Sequence, residues 1–485
     1  MKKLIVCCDG TWLNSDHGTT KGDNLTEPKN PVLQAPSNVT RISRCIKRKD
    51  DNGNDQITYY QSGIGTHDVV DKVIGGATGL GLSENVREAY QFIAGNYDQN
   101  AGDEIYLVGF SRGSFTARSI ASFISDIGLL TPLGMVHFYP IFQDWENQLK
   151  KRWTPNPNSP WKSPRPNAAT KEYIDQLFKL GFTRRNVKVK AVAVYDTVGA
   201  LGIPRIGILH DLFNPDERVP HSLDYAFVDT TVPSMVENAI HALALDEKRE
   251  PFAPTMWEKP SPTQTLTQCW FAGAHSDCGG SYVDCRAADI SLTWMISKLS
   301  KFISFDVIVL KEQYHKLGSA DSKRPWACGQ IHDPFATWYK KIGGYEKRTP
   351  MEYNRYSHDT GKEMVPTTPL QNTCEKIHPS VRLRMGLPGK GLEDRGEYAP
   401  AALDGWSVVG VRAPTAGNVK LQQIQEVQRK IFWQKGAKRM EEEIMSELEW
   451  ELLKTSDPSV LDKFTSTVPK SHTITSLFHK VEELI

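Results

Sequence analysis

The chain has 485 residues, and Lys+Arg 58 against Asp+Glu 57 leaves a formal charge of +1, so no global field draws it to nucleic acid or to an anionic membrane. Its length admits two or three domains, or one large α/β domain with insertions, with ample core in either case. The opening MKKLIVCCDG is too short in apolar residues for a secretory core, and no run approaches the roughly 18 apolar residues of a spanning helix. The cysteines sit mostly inside apolar runs without a C-x-x-C pair, which is the usage of reduced, packed thiols in a cytoplasmic setting. Cys278 and Cys285 lie close together, but no second Cys/His pair near them has ligand spacing, so no metal is expected.

In chain order, short apolar runs alternate with helical patterns, the signature of an α/β fold: a mostly parallel sheet with helices on both faces. The first run, LIVCC at 4–8, stops at Asp9-Gly10-Thr11. QITYYQ at 56–61 is the second, and SENVREAYQFIAGNY follows as a helix with Val86, Tyr90 and Ile93 on one face and Ser83 as its cap. EIYLVGF at 104–110 leads into a helix from Ser114 whose buried face would carry Phe115, Ile120, Phe123 and Ile124. VKVKAVAVY at 187–195 is a further strand, ENAIHALALDEKR reads as helical and contains His241, and TQCWFAGA at 267–274 is the last strand of the series.

The chemistry concentrates at IYLVGFSRGSFTARS, where Gly109-Phe110-Ser111-Arg112-Gly113 matches G-x-S-x-G between an apolar strand and an amphipathic helix. A turn that tight leaves no room for side chains at Gly109 and Gly113. It also holds Ser111 out at the helix N-terminus, with the amide of Arg112 facing a developing oxyanion. A serine hydroxyl needs a base, and the base needs a group to fix its tautomer. Asp196, after VKVKAVAVY and before Thr197-Val198-Gly199, and His275, after TQCWFAGA and before Ser276-Asp277-Cys278-Gly279-Gly280, stand at strand ends in the order Ser, Asp, His. Asp246 and Asp277 compete for the role of Asp196, while His378, before Pro379, reads as a loop residue.

A strand ending in D-G-T also resembles aspartate-nucleophile phosphatases, but Cys7 occupies the nucleophile's place and a thiol cannot stand in for that carboxylate. The turn is better used as the second half of an oxyanion hole, with Gly10 or Thr11 supplying an N–H and Asp9 bracing the loop.

CCDGTWLN, YYQSGIGT, GFSRGSFTAR, VYDTVGALG, HALALDEKR and AGAHSDCGGSY occur in the order found in the type VI secretion phospholipase-effector-like catalytic domains, a family of α/β-hydrolase type with bacterial lipase effectors and many fungal members. The chain resembles that family over roughly residues 1–300. The resemblance places the family's serine, aspartate and histidine on Ser111, Asp196 and His275, and implies ester hydrolysis with phospholipids as the best-known substrates. Ser114 and Cys278 stand where other small or apolar residues are common.

The expected organisation is a hydrolase domain over 1–300 with an insertion at about 130–186, a turn-rich extension over 301–415 packed on it, and a helical tail over 416–485. Residues 133–167 hold Phe138, Tyr139, Phe142, Trp145, Trp153 and Trp161, which would serve either as a lid lining an acyl pocket or as an insertion packed on the core. GGATGLG at 75–81 lacks the strand and spacing of a dinucleotide loop and reads as a flexible loop near the active-site face. In the tail Leu421, Ile424, Ile431, Met440, Ile444 and Leu448 recur at helical spacing, docking on the domain or recruiting a protein partner. The reading is a serine hydrolase for carboxylic esters, lipid or phospholipid-like, needing neither cofactor nor metal and making at most transient contact with a membrane surface. Its alternatives are an esterase or amidase on a small soluble or acylated-sugar substrate, and a hydrolase fold used as a binding module without turnover.

Overall fold

The computed structural model describes residues 1–10, 35–63, 80–148, 166–198, 230–259, 261–316, 326–335, 344–357, 365–410 and 421–456. A ten-stranded sheet runs through them. Its strands in chain order are β1 (Lys2–Cys8), β2 (Asp55–Gln61), β3 (Glu104–Phe110), β4 (Val189–Tyr195), β5 (Val236–Ala244), β6 (Thr265–Phe271), β7 (Glu375–Ile377), β8 (Ser407–Val409), β9 (Phe432–Lys435) and β10 (Lys438–Glu442). In space they run β8-β9-β10-β7-β6-β5-β4-β3-β1-β2. Every pair from β2 to β10 is parallel, and only β10–β9 and β9–β8 are antiparallel.

The helices named below are α1 (Asn38–Cys45), α2 (Leu80–Asn96), α3 (Arg112–Ile127), α4 (Phe138–Glu146), α5 (Lys171–Lys179), α6 (His275–Gly279), α7 (Arg286–Leu299), α8 (Val307–Lys316), α9 (Pro379–Met385), α10 (Leu421–Gln428) and α11 (Glu447–Ser456). Alternate strand residues feed opposite cores. Leu4, Val6, Ile105, Leu107, Val192 and Val194 pack with Val86, Tyr90 and Ile93 of α2 and Phe115, Ile120, Phe123 and Ile124 of α3. Ile5, Cys7, Tyr106, Val108, Ala191 and Ala193 pack on the other face with Val39 and Ile42 of α1, Trp294 and Leu299 of α7, Leu310 of α8 and Trp450 of α11. Both faces being covered, the strands read as continuous apolar runs.

Four expectations are corrected. The described part of α2 already includes Leu80, so Ser83 lies inside the helix and not at its N-cap position. ENAIHALALDEKR contributes a strand, β5, between β4 and β6. A strand buried on both faces has no alternation to show, and its alanines tip a short apolar run toward helix. The segment from 416 onward is not simply helical: between α10 and α11 the chain forms the β9–β10 hairpin, which turns at Gly436 with φ 56°. Trp433, Met440 and Glu442 are buried at every second position, a period of two that the apolar residues alone concealed. Residues 457–485, with Trp153 and Trp161, lie outside the described residues. Lastly, the extension is not merely packed on the hydrolase. Its β7 pairs with β6 and continues the same sheet.

Of the two readings of the aromatic insertion, the described part follows the second. Phe138, Phe142 and Trp145 of α4 are buried in the core cluster of α2 and α3, and Trp145 Nε1 donates to Asp126 at 2.7 Å. That cluster extends toward the sheet edge where the strands begin. There Lys2 Nζ donates to Asn96 O at 2.6 Å, and Arg184 donates to Ala94 O at 2.7 Å and Leu130 O at 3.4 Å.

Candidate active site

Ser111 sits between β3 and α3 with φ 57° and ψ −122°, a backbone state that costs a non-glycine residue free energy and persists only where its surroundings enforce it. The enforcement is visible. A Cβ on Gly109 would come within 2.6 Å of Gly113 O and Ser114 Cα, and one on Gly113 would run into the carbonyls of Cys8 and Asp9. The Ser111 amide donates to Tyr195 O at 3.1 Å and Ser114 Oγ to the same carbonyl at 2.9 Å, fastening the turn to the end of β4.

The residue that follows β4 is Asp196, also at positive φ, 37°. Its Oδ2 lies 2.6 Å from His275 Nδ1, and its Oδ1 accepts the Ala244 amide at 3.0 Å. Asp196 is fully buried. Burial alone would raise its pKa, yet the neighbouring Arg348 charge, the His275 hydrogen bond and the Ala244 amide together bring it down to about 2. An ionised carboxylate can only accept, so Nδ1 carries the proton and Nε2 is left with the lone pair. His275 Nε2 is buried and has no hydrogen-bond partner among the described residues. The imidazole packs on Phe110, the residue before Ser111, at 4.7 Å between ring centroids, and edge-on to Phe252 at 5.0 Å. The structure thus pairs His275 with Asp196 and seats the imidazole against Phe110, the neighbour of Ser111, with no hydrogen bond between Ser111 and His275 among the described residues.

The rival carboxylates are otherwise engaged. Asp246 accepts the Gly273 amide at 2.7 Å and Tyr398 OH at 2.7 Å. Asp277 accepts the Ala274 amide at 2.9 Å and pairs with His332 Nδ1 at 2.7 Å. Glu247, itself held by Arg249, accepts the His275 amide at 3.2 Å. Successive amides of residues 273, 274 and 275 therefore end on three buried carboxylates, which fixes the loop that presents the imidazole. His241 and His378 are structural. His241 Nε2 accepts the Thr197 amide at 3.1 Å, and burial, with Arg118 nearby, lowers its pKa to about 3. His378 caps α9 through Ser380 and pairs with Glu449 of α11 at 2.8 Å.

The expected oxyanion donors separate. Arg112 is the first residue of α3, directly after Ser111. Gly10 departs from expectation: its amide donates to Asp9 Oδ1 at 2.7 Å, and one N–H turned onto a carboxylate does not also serve an oxyanion. Thr11 lies outside the described residues. Asp9 ties the end of β1 to α1 and β2, its Oδ2 accepting from Ser37 at 2.7 Å, Thr40 at 2.8 Å and Tyr60 at 2.7 Å. Burial raises its pKa against the pull of those donors.

Sequence reasoning missed Arg348, which lies in the extension, in a turn-rich stretch with no pattern to mark it. Its Nη2 donates to Asp196 Oδ2 at 2.9 Å and to Phe252 O at 2.8 Å.

The family model for the catalytic domain of type VI secretion system phospholipase effectors of the Tle1-like kind matches residues 2–298. The chain belongs to this family. It is 26% identical over 266 residues to the uncharacterized protein YEL023C of Saccharomyces cerevisiae, covering 52% of this chain and 32% of that one. Among solved structures it is similar to the Tle1 effector bound to the VgrG spike of the type 6 secretion system, at 18% identity and a TM-score of 0.29, covering 58% of this chain and 51% of that one. It is also similar to an uncharacterized protein from Pseudomonas aeruginosa, at 15% identity and a TM-score of 0.30, covering 66% and 49%. The chain thus spans about a third of the length of its curated relative and about half of each solved one.

Proposed function

We propose that the protein is a serine hydrolase that cleaves the carboxylic ester of a lipid or phospholipid-like substrate. The observation that carries this reading is the buried 2.6 Å contact of His275 with Asp196, set beside a serine on a strained strand-to-helix turn. Membership of a phospholipase-effector-like family supports the lipid part.

In this mechanism Ser111 Oγ attacks the acyl carbon and His275 Nε2 takes its proton. Asp196 holds the imidazole in the required tautomer and stabilises the imidazolium that forms. The carbonyl oxygen, now an oxyanion, is received by the Arg112 amide at the positive end of α3, a contribution of about 3 to 4 kcal/mol for one such donor in a related enzyme. His275 then returns the proton to the leaving alkoxide, which departs as the alcohol. Water, deprotonated by the same nitrogen, attacks the acyl-serine, and collapse of the second tetrahedral intermediate releases the acid and restores Ser111. The chain's free cysteines, all buried but Cys374, suit a reducing compartment such as the cytoplasm.

Fluorophosphonate labelling tests the assignment: it should be stoichiometric at Ser111 and absent from Ser111→Ala, whereas equal labelling of the variant refutes it. A series of p-nitrophenyl esters of increasing acyl length tests the substrate class. Maximal kcat/KM at acetate or propionate would replace the lipid by a small soluble ester.

A further inference from the structure

We infer that Arg348, supplied by the C-terminal extension, is a positioning residue of this triad: it keeps the buried Asp196 ionised and shares with His275 the carboxylate oxygen on which the imidazole is hung. The inference rests on the serine-hydrolase reading for its consequence in catalysis, but its geometry stands apart from it. Arg348 is 2% exposed, and Nη2 bridges Asp196 Oδ2 at 2.9 Å and Phe252 O at 2.8 Å. The chain around it is laid against the segment after β5 by an antiparallel bridge between Arg249 and Tyr345. Glu250 N donates to Gly344 O at 3.0 Å, and Glu346 N to Lys248 O at 2.9 Å. The Phe252 carbonyl that anchors the guanidinium belongs to the residue whose ring flanks His275. Arg348 and His275 therefore meet on one oxygen of Asp196 from two separate stretches of chain, and Phe252, from a third, touches both of them.

The physical need is plain. A carboxylate with no exposed surface prefers the neutral form unless donors and a positive charge surround it. Asp196 has one amide and one imidazole N–H, and Arg348 is its neighbouring full positive charge. The other ionisable groups around the pair are His241 from β5, Cys278 from α6, and Glu247, Tyr353 and Glu346 beside the guanidinium, the Glu346 carboxyl being raised by burial against the pull of Arg348. Burial keeps His241 neutral and raises the Cys278 thiol and the Tyr353 phenol well above their ordinary values, so none of these three replaces the Arg348 charge near pH 7. Glu247 is anionic and already held by Arg249.

Arg348→Gln removes the charge and keeps a donor of similar reach. Asp196 then protonates at a higher pH, and whatever charge it retains is no longer shared with the guanidinium. Both effects move the acid limb of kcat/KM upward. The expected displacement is about one pH unit, with KM for a p-nitrophenyl ester changed less than twofold and kcat at pH 7 down about tenfold. A merely structural role would scale the profile without moving the limb, and an unmoved limb in folded Arg348→Gln overturns the inference. Arg348→Lys restores the charge without the fork and should return the limb to within about 0.3 units of the parent. A full-unit displacement in that variant overturns the inference as well, and this arm remains should Arg348→Gln lose its cooperative melt.

The carboxyl carbon of Asp196 in 13C-aspartate-labelled full-length protein, assigned with Asp196→Asn, gives a readout that needs no turnover. It should stay ionised to about pH 2 in the parent and titrate above the ordinary 3.8 in Arg348→Gln. An Asp196 signal that still titrates near its parent position overturns the role of Arg348. Ester turnover that survives Ser111→Ala instead defeats the serine-hydrolase reading and leaves this titration to decide on Arg348 alone.

Discussion

The two halves of the sheet are built from different kinds of sequence. β1 to β6 lie within residues 2–298, where the family model matches; each is seven or nine residues long, and all but β2 are mostly buried. β7 to β10 have three to five residues each and come from the extension and the tail. Yet the second half is not a decoration on the first. β7 takes up the free edge of β6, Glu375 accepts from Trp270 Nε1 at 2.8 Å, and Gln268 Nε2 donates to Thr373 O at 2.7 Å, all from the strand that leads to His275. The family-matching half carries Ser111, Asp196 and His275, and the other half closes the core beneath His275 and brings Arg348 to Asp196.

The most severe way to break that comparison is to cut the chain after residue 300. Trp270, Leu243 and Leu245 would lose the cluster formed by Ile377, Val381, Leu403, Trp406 and Trp433, and the β6 edge would be bare. Residues 1–300 alone should give no cooperative thermal transition and should aggregate. A soluble fragment that melts cooperatively and labels at Ser111 would show the halves to be separable. Next in size are paired point changes, one in each half. Gly113→Ala drives a methyl group into the Cys8 and Asp9 carbonyls, which are backbone and cannot rotate away. It should cost several kcal/mol or displace the elbow, on the order of 3 kcal/mol with labelling reduced at least tenfold. Trp433→Ala empties a fully buried site in β9, in the cluster shared with β5 and β6, and should cost about 3 to 5 kcal/mol in urea unfolding while leaving the labelling rate of the remaining folded protein unchanged.

How much of this was legible in the sequence follows the same division. The elbow, the aspartate and the histidine could be read because each ends a long apolar run and sits beside glycines that permit a tight turn. β5 was readable as an element but not as a strand, since burial on both faces removes the period that separates strand from helix. The β9–β10 hairpin was hidden because Glu442, which accepts a bidentate contact from Arg382 at 2.7 and 2.9 Å, fills an inward position that an apolar count skips. Arg348 left no signal at all. Its meaning lies in a contact 152 residues away in the chain, and nothing in RTPMEYN distinguishes a buried arginine from a solvated one. The use of the Gly10 amide depends likewise on which way a carboxylate turns, a matter the letters DGT do not decide.

A gentler perturbation is acid. Asp196 has its pKa lowered from 3.8 to about 2 in the folded protein. A depressed value stabilises the fold at every pH above the unfolded value, and that stabilisation is lost as pH falls through the interval toward the folded one. At 1.36 kcal/mol per unit this is worth roughly 2 kcal/mol. The difference in unfolding free energy between the parent and Asp196→Asn should therefore shrink by about that amount between pH 5 and pH 2. Asp9, Asp246, Asp277, Asp289 and Glu375 have pKa values raised by burial, the opposite sign, so they oppose acid unfolding.

The smallest effect belongs to the insertion, and its smallness is the point. Leu133, Val136 and Tyr139 are exposed by 57%, 74% and 45%, an apolar supply that invites comparison with a lid over an acyl pocket. But α3, which starts at the elbow and leads to this segment, has 16 residues, and at about 1.5 Å per residue it carries the chain some 24 Å from Ser111. Val136→Ser should change stability by less than about 0.5 kcal/mol, because little surface is buried there to lose. It should leave kcat/KM for octanoyl and butyryl p-nitrophenyl esters in an unchanged ratio, measured side by side with the parent. A ratio that falls severalfold would mean that the segment around Val136 comes over the serine during turnover, and would move the insertion from the supporting core to the substrate side of the molecule.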